Sequence, residues 1–212
     1  MTDVTALTTI NRARRRDIAT AIPPHAFFMV SAVFHYLGPA FAVLLFAQIP
    51  ALGVAWLRIA SAGLVFAIWR KPWRLFAAST ASQRRELIAL GLVLGAMNTS
   101  FYLAIDRLPL GTVGAIEFLG PIVLAGIAVR GPRNGLALGL AVLGVGLLTD
   151  ARIAGEPVGI ALAFANCLLF TLYIILGHRL ARDGGAAGID RLGAAMLVAT
   201  LFVLPVGIVD AT

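Results

Sequence analysis

Seven long apolar runs, separated by short polar connections, constrain this chain more than any other feature. They fall at about 26–47, 51–69, 87–105, 110–129, 135–149, 158–177 and 192–209. Crossing a hydrocarbon core takes about 20 helical residues at 1.5 Å each, and six of the runs come close to that; 135–149 is the shortest. Connections such as Gln48-Ile49-Pro50 and Asp106-Arg107-Leu108-Pro109 leave no room for a soluble domain. In lipid the backbone must satisfy its own hydrogen bonds, so a spanning chain is helical or a closed barrel. These runs lack the apolar–polar alternation of barrel strands. The expected fold class is an all-α polytopic membrane protein with seven transmembrane helices.

Charge placement supports this and gives an orientation. Only 13% of residues are charged and 60% are hydrophobic, against about 25% charged in soluble domains. The net charge of +7 raises nucleic-acid binding as a reading, but the basic residues lie between apolar runs and form no basic face. With the N-terminus inside, inside segments hold four Arg in 12–16, five Lys or Arg in 70–85, Arg130, Arg133, Arg179, Arg182 and Arg191. Outside lie only Arg107 and Arg152, and Arg58 remains within a run, which accounts for all 17. This is the positive-inside pattern. Residues 1–25 read as a cytoplasmic tail, and the first run is too long for the 7–15-residue core of a cleaved signal peptide. In the inside connection 70–86, Trp69 and Trp73 suit the headgroup boundary, and Leu75 and Phe76 are expected to dip into it. Thr80 with Gln83 forms a capping-box pattern that would start the third helix early.

Enzyme chemistry finds no foothold. Cys167 is alone in an apolar run, and His25, His35 and His178 are too dispersed for a metal. No nucleophile–base pattern or phosphate loop is present, so no cofactor and no metal are expected.

The informative residues are polar groups inside the runs. Ionisable groups in a membrane helix are costly and by default mark a functional interior. Counted from the outer end of each run, Arg58, Asn98 and Glu117 each lie about seven residues in, roughly 10 Å deep; His35 comes out at roughly 18 Å. Pro121 follows Glu117 by four residues, and Pro39 follows His35 by four. Proline lacks the N–H that would bond the carbonyl four residues back, so helix breaks are expected at both titratable residues, as in transporter sites at mid-membrane. Other readings stand beside these. Arg58 could snorkel or bridge to Glu117, Asn98 could simply join two helices, and Tyr102, one turn from Asn98, could be an interfacial aromatic. Gly135 and Gly139 read as a small-residue face for close helix packing.

Several stretches resemble the threonine/homoserine exporter branch of the EamA-like drug/metabolite transporter superfamily. They are Trp-Leu-Arg-Ile-Ala (56–60), Lys-Pro-Trp-Arg (71–74), Met-Asn-Thr-Ser-Phe-Tyr-Leu-Ala-Ile (97–105), Pro-Leu-Gly (109–111) and Glu-Phe-Leu-Gly-Pro (117–121), with weaker similarity over 159–180. The resemblance implies ten helices in two inverted five-helix repeats, a bacterial inner-membrane location with both termini inside, and export of small amino acids or related metabolites. On that basis residues 26–150 would form the first repeat and 157–212 two helices of an incomplete second. Arg58, Asn98 and Glu117 fall on the family's motif residues. His35-Tyr36-Leu37-Gly38-Pro39 departs from the Gln- and Gly-rich stretch usual there, which puts substrate preference in question. The expected partners are an amino-acid-like substrate, the bilayer and, as one arrangement, a second copy in a homodimer. Proton coupling through Glu117 is the expected energy source. The seven runs are expected to be a fragment of a longer transporter. Rival readings are a multidrug or other metabolite exporter, a membrane enzyme acting on lipid, and a non-transporting membrane subunit.

Overall fold

The computed structural model describes residues 24–128, 131–148, 156–180 and 186–210. Among them are eight helices and no strand: α1 Pro24–Leu45, α2 Ala51–Arg70, α3 Trp73–Ala78, α4 Ala81–Ile105, α5 Leu110–Ala128, α6 Pro132–Leu148, α7 Pro157–Leu180 and α8 Ala186–Asp210. Five of them, α2, α4, α5, α7 and α8, are long and apolar enough to cross a bilayer, while α1 and α6 carry the shorter apolar stretches Met29–Leu45 and Pro132–Leu147. The chain forms two compact units, residues 1–42 and 43–212. Most of α1 belongs to the first unit.

In the second unit α4 is the hub. It packs against α2, α7 and α8; α7 also packs on α5, α8 on α2, and α6 on α5. Glycine and alanine set how closely these helices approach. A Cβ at Gly91 would lie 2.5 Å from Val198 Cβ and 2.7 Å from the Ala195 carbonyl oxygen. One turn on, a Cβ at Gly95 would meet the Phe202 ring at 2.9 Å and the Ala199 Cα at 3.5 Å. Ala195 and Ala199 are fully buried on the opposing helix. Without a hydrophobic drive between helices in lipid, this small-on-small contact is what brings two backbones into dispersion range. Leu94, Ile59, Ala199 and Val203 close the core beside it.

The small-residue face expected at Gly135 and Gly139 is not used this way: a Cβ at either position would meet nothing within 4 Å among the described residues. Spacing marks a smooth face but not whether another helix lies against it. Nor do the prolines break their helices. Pro39 lies inside α1 and Pro121 inside α5, as does Pro205 inside α8. Each removes one backbone donor while the helix runs on.

The connection after α2 is more ordered than an interfacial dip. Lys71 caps α2 in the left-handed region (φ 49°, ψ 56°), its N–H donating to the Ala67 carbonyl. Pro72 then turns the chain into α3, whose last carbonyls, of Phe76 and Ala77, accept from Arg84 at 2.9 and 3.1 Å. Leu75 and Phe76 pack onto Leu87, Leu90, Leu180, Ala194 and Ala195, so they belong to the protein core. The capping box forms: Gln83 N–H donates to Thr80 Oγ1 and Thr80 N–H to Gln83 Oε1, which starts α4 at Ala81 rather than near residue 87. At this end Arg70 pairs with Asp190 at 2.5 Å. At the opposite end Arg107 pairs with Glu156 at 2.7 Å.

Gly91→Ala should therefore force α4 and α8 apart, at an overpacking cost of roughly 1–3 kcal/mol. Gly135→Ala, which meets nothing, should leave stability unchanged or raised by its better helix propensity, at most ~1 kcal/mol. Thermal denaturation of the two variants in detergent checks the contrast; equal midpoints would contradict the packing described.

Candidate functional site

Two polar contacts tie α2 to α4. Asn98 Nδ2 donates to the Ala55 carbonyl at 3.1 Å. One turn along each helix, Arg58 Nη1 donates to the Tyr102 hydroxyl at 3.2 Å, and the guanidinium carbon lies 5.7 Å from the Tyr102 ring centroid. Asn98 is buried, Tyr102 completely so. Phe101 and Phe46 flank the tyrosine ring edge-on at 5.8 and 6.2 Å. The tyrosine thus presents both a polar tip and a π face to the cation, which lets a guanidinium stay in the membrane without a carboxylate. This hydrogen bond uses one of the five donors of the guanidinium.

A third contact joins α5 to α7. Glu117 is 3% exposed, and its Oε1 accepts from Asn166 Nδ2 at 3.1 Å. Burying a carboxylate costs several kcal/mol unless donors compensate, so the fully buried Asn166 is part of what holds Glu117 in place. Beside it the two helices touch: a Cβ at Gly120 would fall 1.8 Å from Thr171 Oγ1 and 3.2 Å from the Cys167 carbonyl oxygen. The glycine of the Glu-Phe-Leu-Gly-Pro stretch is the approach point that lets α7 reach the carboxylate.

The observed helix limits keep the expected depths. Arg58 lies seven residues from Ala51, Asn98 seven from Ile105 and Glu117 seven from Leu110, roughly 10 Å along each helix. Arg58, Asn98 and Tyr102 gather in one interface and Glu117 lies in another. Arg58 bonds to Tyr102 rather than bridging to Glu117, whose Oε1 accepts from Asn166. His35 lies in the first unit, its ring edge-on to Tyr36 at 5.1 Å. Of the expected helix-break residues, Pro121 sits one turn past Glu117 within a continuous α5.

Asn166 escaped the sequence reading. It stands nine residues into α7, within the stretch of weaker resemblance at 159–180 but at no position singled out there. A lone amide deep in a run otherwise bearing only Thr171 and Tyr173 as polar residues before its final turn was the available signal. The arrangement offers a cation and a carboxylate at one depth in a protein interior, with neutral hydrogen-bonding groups beside each.

Among known proteins, no family model matches the chain, and no solved structure does. It is 36% identical over 177 residues to the threonine/homoserine exporter RhtA of Salmonella typhimurium strain LT2, covering 82% of this chain and 58% of that protein. It is 36% identical over 180 residues to RhtA of Escherichia coli K12, with the same coverage of each. The chain thus spans 58% of the length of these curated relatives. Similarity of this extent, over 82% of this chain, fits the EamA-like drug/metabolite transporter superfamily, to which the chain is similar through these threonine/homoserine exporters.

Proposed function

We propose that this chain serves the export of a small amino acid or similar zwitterion across the bacterial inner membrane, driven by proton movement. The observation that carries the reading is Glu117, a carboxylate buried at bilayer depth and held by an amide, at the same helical depth as the Arg58 guanidinium. Arg58 would attract the substrate carboxylate, and Glu117 would take its ammonium or the coupling proton. The relatives named as threonine/homoserine exporters support the substrate class. A lipophilic cation would need only the carboxylate and aromatic walls, so the guanidinium favours the zwitterion over a multidrug substrate.

In this reading α1, α2, α4, α5 and α6 make the first five-helix repeat, with α3 lying at the inner interface, and α7 and α8 begin a second, inverted repeat. The packing of α7 against α4 and α5, and of α8 against α2 and α4, is in keeping with it. The N-terminus is cytoplasmic, in keeping with Arg70, Arg84 and Arg191 lying at the end opposite the Arg107–Glu156 pair.

Cells overexpressing the chain should tolerate toxic threonine analogues and show no added resistance to lipophilic cations; resistance to the cations alone would reject the amino-acid reading. In vesicles, Arg58→Ala should weaken apparent substrate affinity about 10- to 100-fold, the worth of one hydrogen bond to a charged group. Glu117→Gln should remove the dependence of transport on pH and its sensitivity to an uncoupler. Persistence of both would exclude Glu117 as the coupling group.

Sidedness has its own check. In a Cys167→Ser background, Arg85→Cys should react with an impermeant maleimide only from the cytoplasmic side, and Glu156→Cys only from the outside. The reverse pattern would invert the topology.

A further inference from the structure

Among the described residues two buried side-chain polar atoms have no hydrogen-bond partner, Trp56 Nε1 and Asn166 Oδ1. The second belongs to the amide that binds Glu117. An asparagine side chain carries a donor and an acceptor on one planar group, whereas an ionised carboxylate only accepts. The orientation seen, nitrogen toward Glu117 Oε1 at 3.1 Å, is the one an ionised carboxylate requires. It leaves the amide oxygen facing surroundings that offer it no donor.

Most buried amides are locked because both of their atoms are bonded. This one is held at a single atom, the one facing Glu117, so only that contact decides its orientation. When Glu117 is protonated, its O–H becomes a donor and the preferred neighbour is the amide oxygen. A half-turn about the terminal side-chain torsion supplies it. That torsion is broad and roughly two-fold, and the amide's N and O occupy nearly equal space, so the turn requires no cavity.

We propose that Asn166 is a positioning residue whose amide reverses when Glu117 takes up a proton, holding the carboxyl in one place in both protonation states. A leucine there would abandon the charged form, and a lysine would hold it permanently ionised; an amide serves both. The inference rests on the reading of Glu117 as a proton-binding group. The other ionisable groups on helices packed against α5 are Cys167, next to Asn166 on α7, Tyr173, about two turns further along α7, and Tyr102 on α4, bonded to Arg58. The charged residues of α4, α6 and α7 lie in their first two turns or their last turn, and the amide is the neighbour whose own two ends match the two states of the carboxyl.

Infrared difference spectra of the full chain in lipid nanodiscs, recorded between neutral and acidic pH with asparagine ¹³C-labelled at the side-chain carbonyl, test this. Acidification should raise a carboxylic-acid carbonyl band that Glu117→Gln removes. Over the same pH interval a labelled amide band, assigned by its loss in Asn166→Leu, should move to lower wavenumber as its oxygen gains a donor. In Asn166→Leu the Glu117 band should move to higher wavenumber. Should the leucine variant fold poorly, Asn166→Ser makes the same assignment with a smaller change. A Glu117 band accompanied by a static Asn166 amide band overturns this inference alone. A Glu117 band that never appears overturns both it and the proton-binding reading.

Discussion

Hydrocarbon accepts no hydrogen bonds and screens no charge, so every polar group placed in it must be answered by the protein. The architecture of the 43–212 unit follows from that constraint. Asn98 is answered by a backbone carbonyl of α2, Arg58 by a tyrosine hydroxyl and ring, and Glu117 by an asparagine of α7. Each answer comes from a different helix. The polar residues therefore act as joints: they fix which helices must be neighbours and at what height, and the apolar surfaces fill in around them. The close approaches at Gly91, Gly95 and Gly120 are the steric side of the same requirement, because side-chain hydrogen bonds of about 3 Å between helices need backbones that come near.

Much of the fold was legible because length and hydropathy are local properties. The run limits at 51, 105 and 110 coincide with helix ends, since the short polar connections 48–50 and 106–109 interrupt the apolar pattern wherever the chain lies in space. The early start of α4 was visible in Thr80 and Gln83 for the same reason: a capping box needs only residues three apart. What was not legible depends on neighbours far along the chain. Gly135 with Gly139 and Gly91 with Gly95 have the same spacing, yet among the described residues only the second pair faces another helix. Leu75 and Phe76 look equally ready for lipid or for protein, and the core of α4, α7 and α8 decides between them.

The site divides along the same line. Arg58, Asn98 and Glu117 stood out because a charge or amide in an apolar run is anomalous wherever it occurs. That Arg58 would turn to Tyr102, and that Glu117 would find Asn166, are facts of pairing over separations of 44 and 49 residues. Glu117 carries the cost that makes a residue conspicuous; Asn166, neutral and half as anomalous, carries the answer. In membranes the partner of a buried ionisable group is often the quieter residue of the two, and the sequence signal is weakest where the specificity is set.

The position of α4 has a consequence for biogenesis. Its glycine face is covered by α8, which leaves the ribosome roughly a hundred residues later, after α5, α6 and α7. Until then the glycine seam of α4 is turned to lipid or to a temporary escort. The contact between α4 and α8 can close only when α8 arrives. Part of the packing around α4 is thus completed only after several later spans have been made.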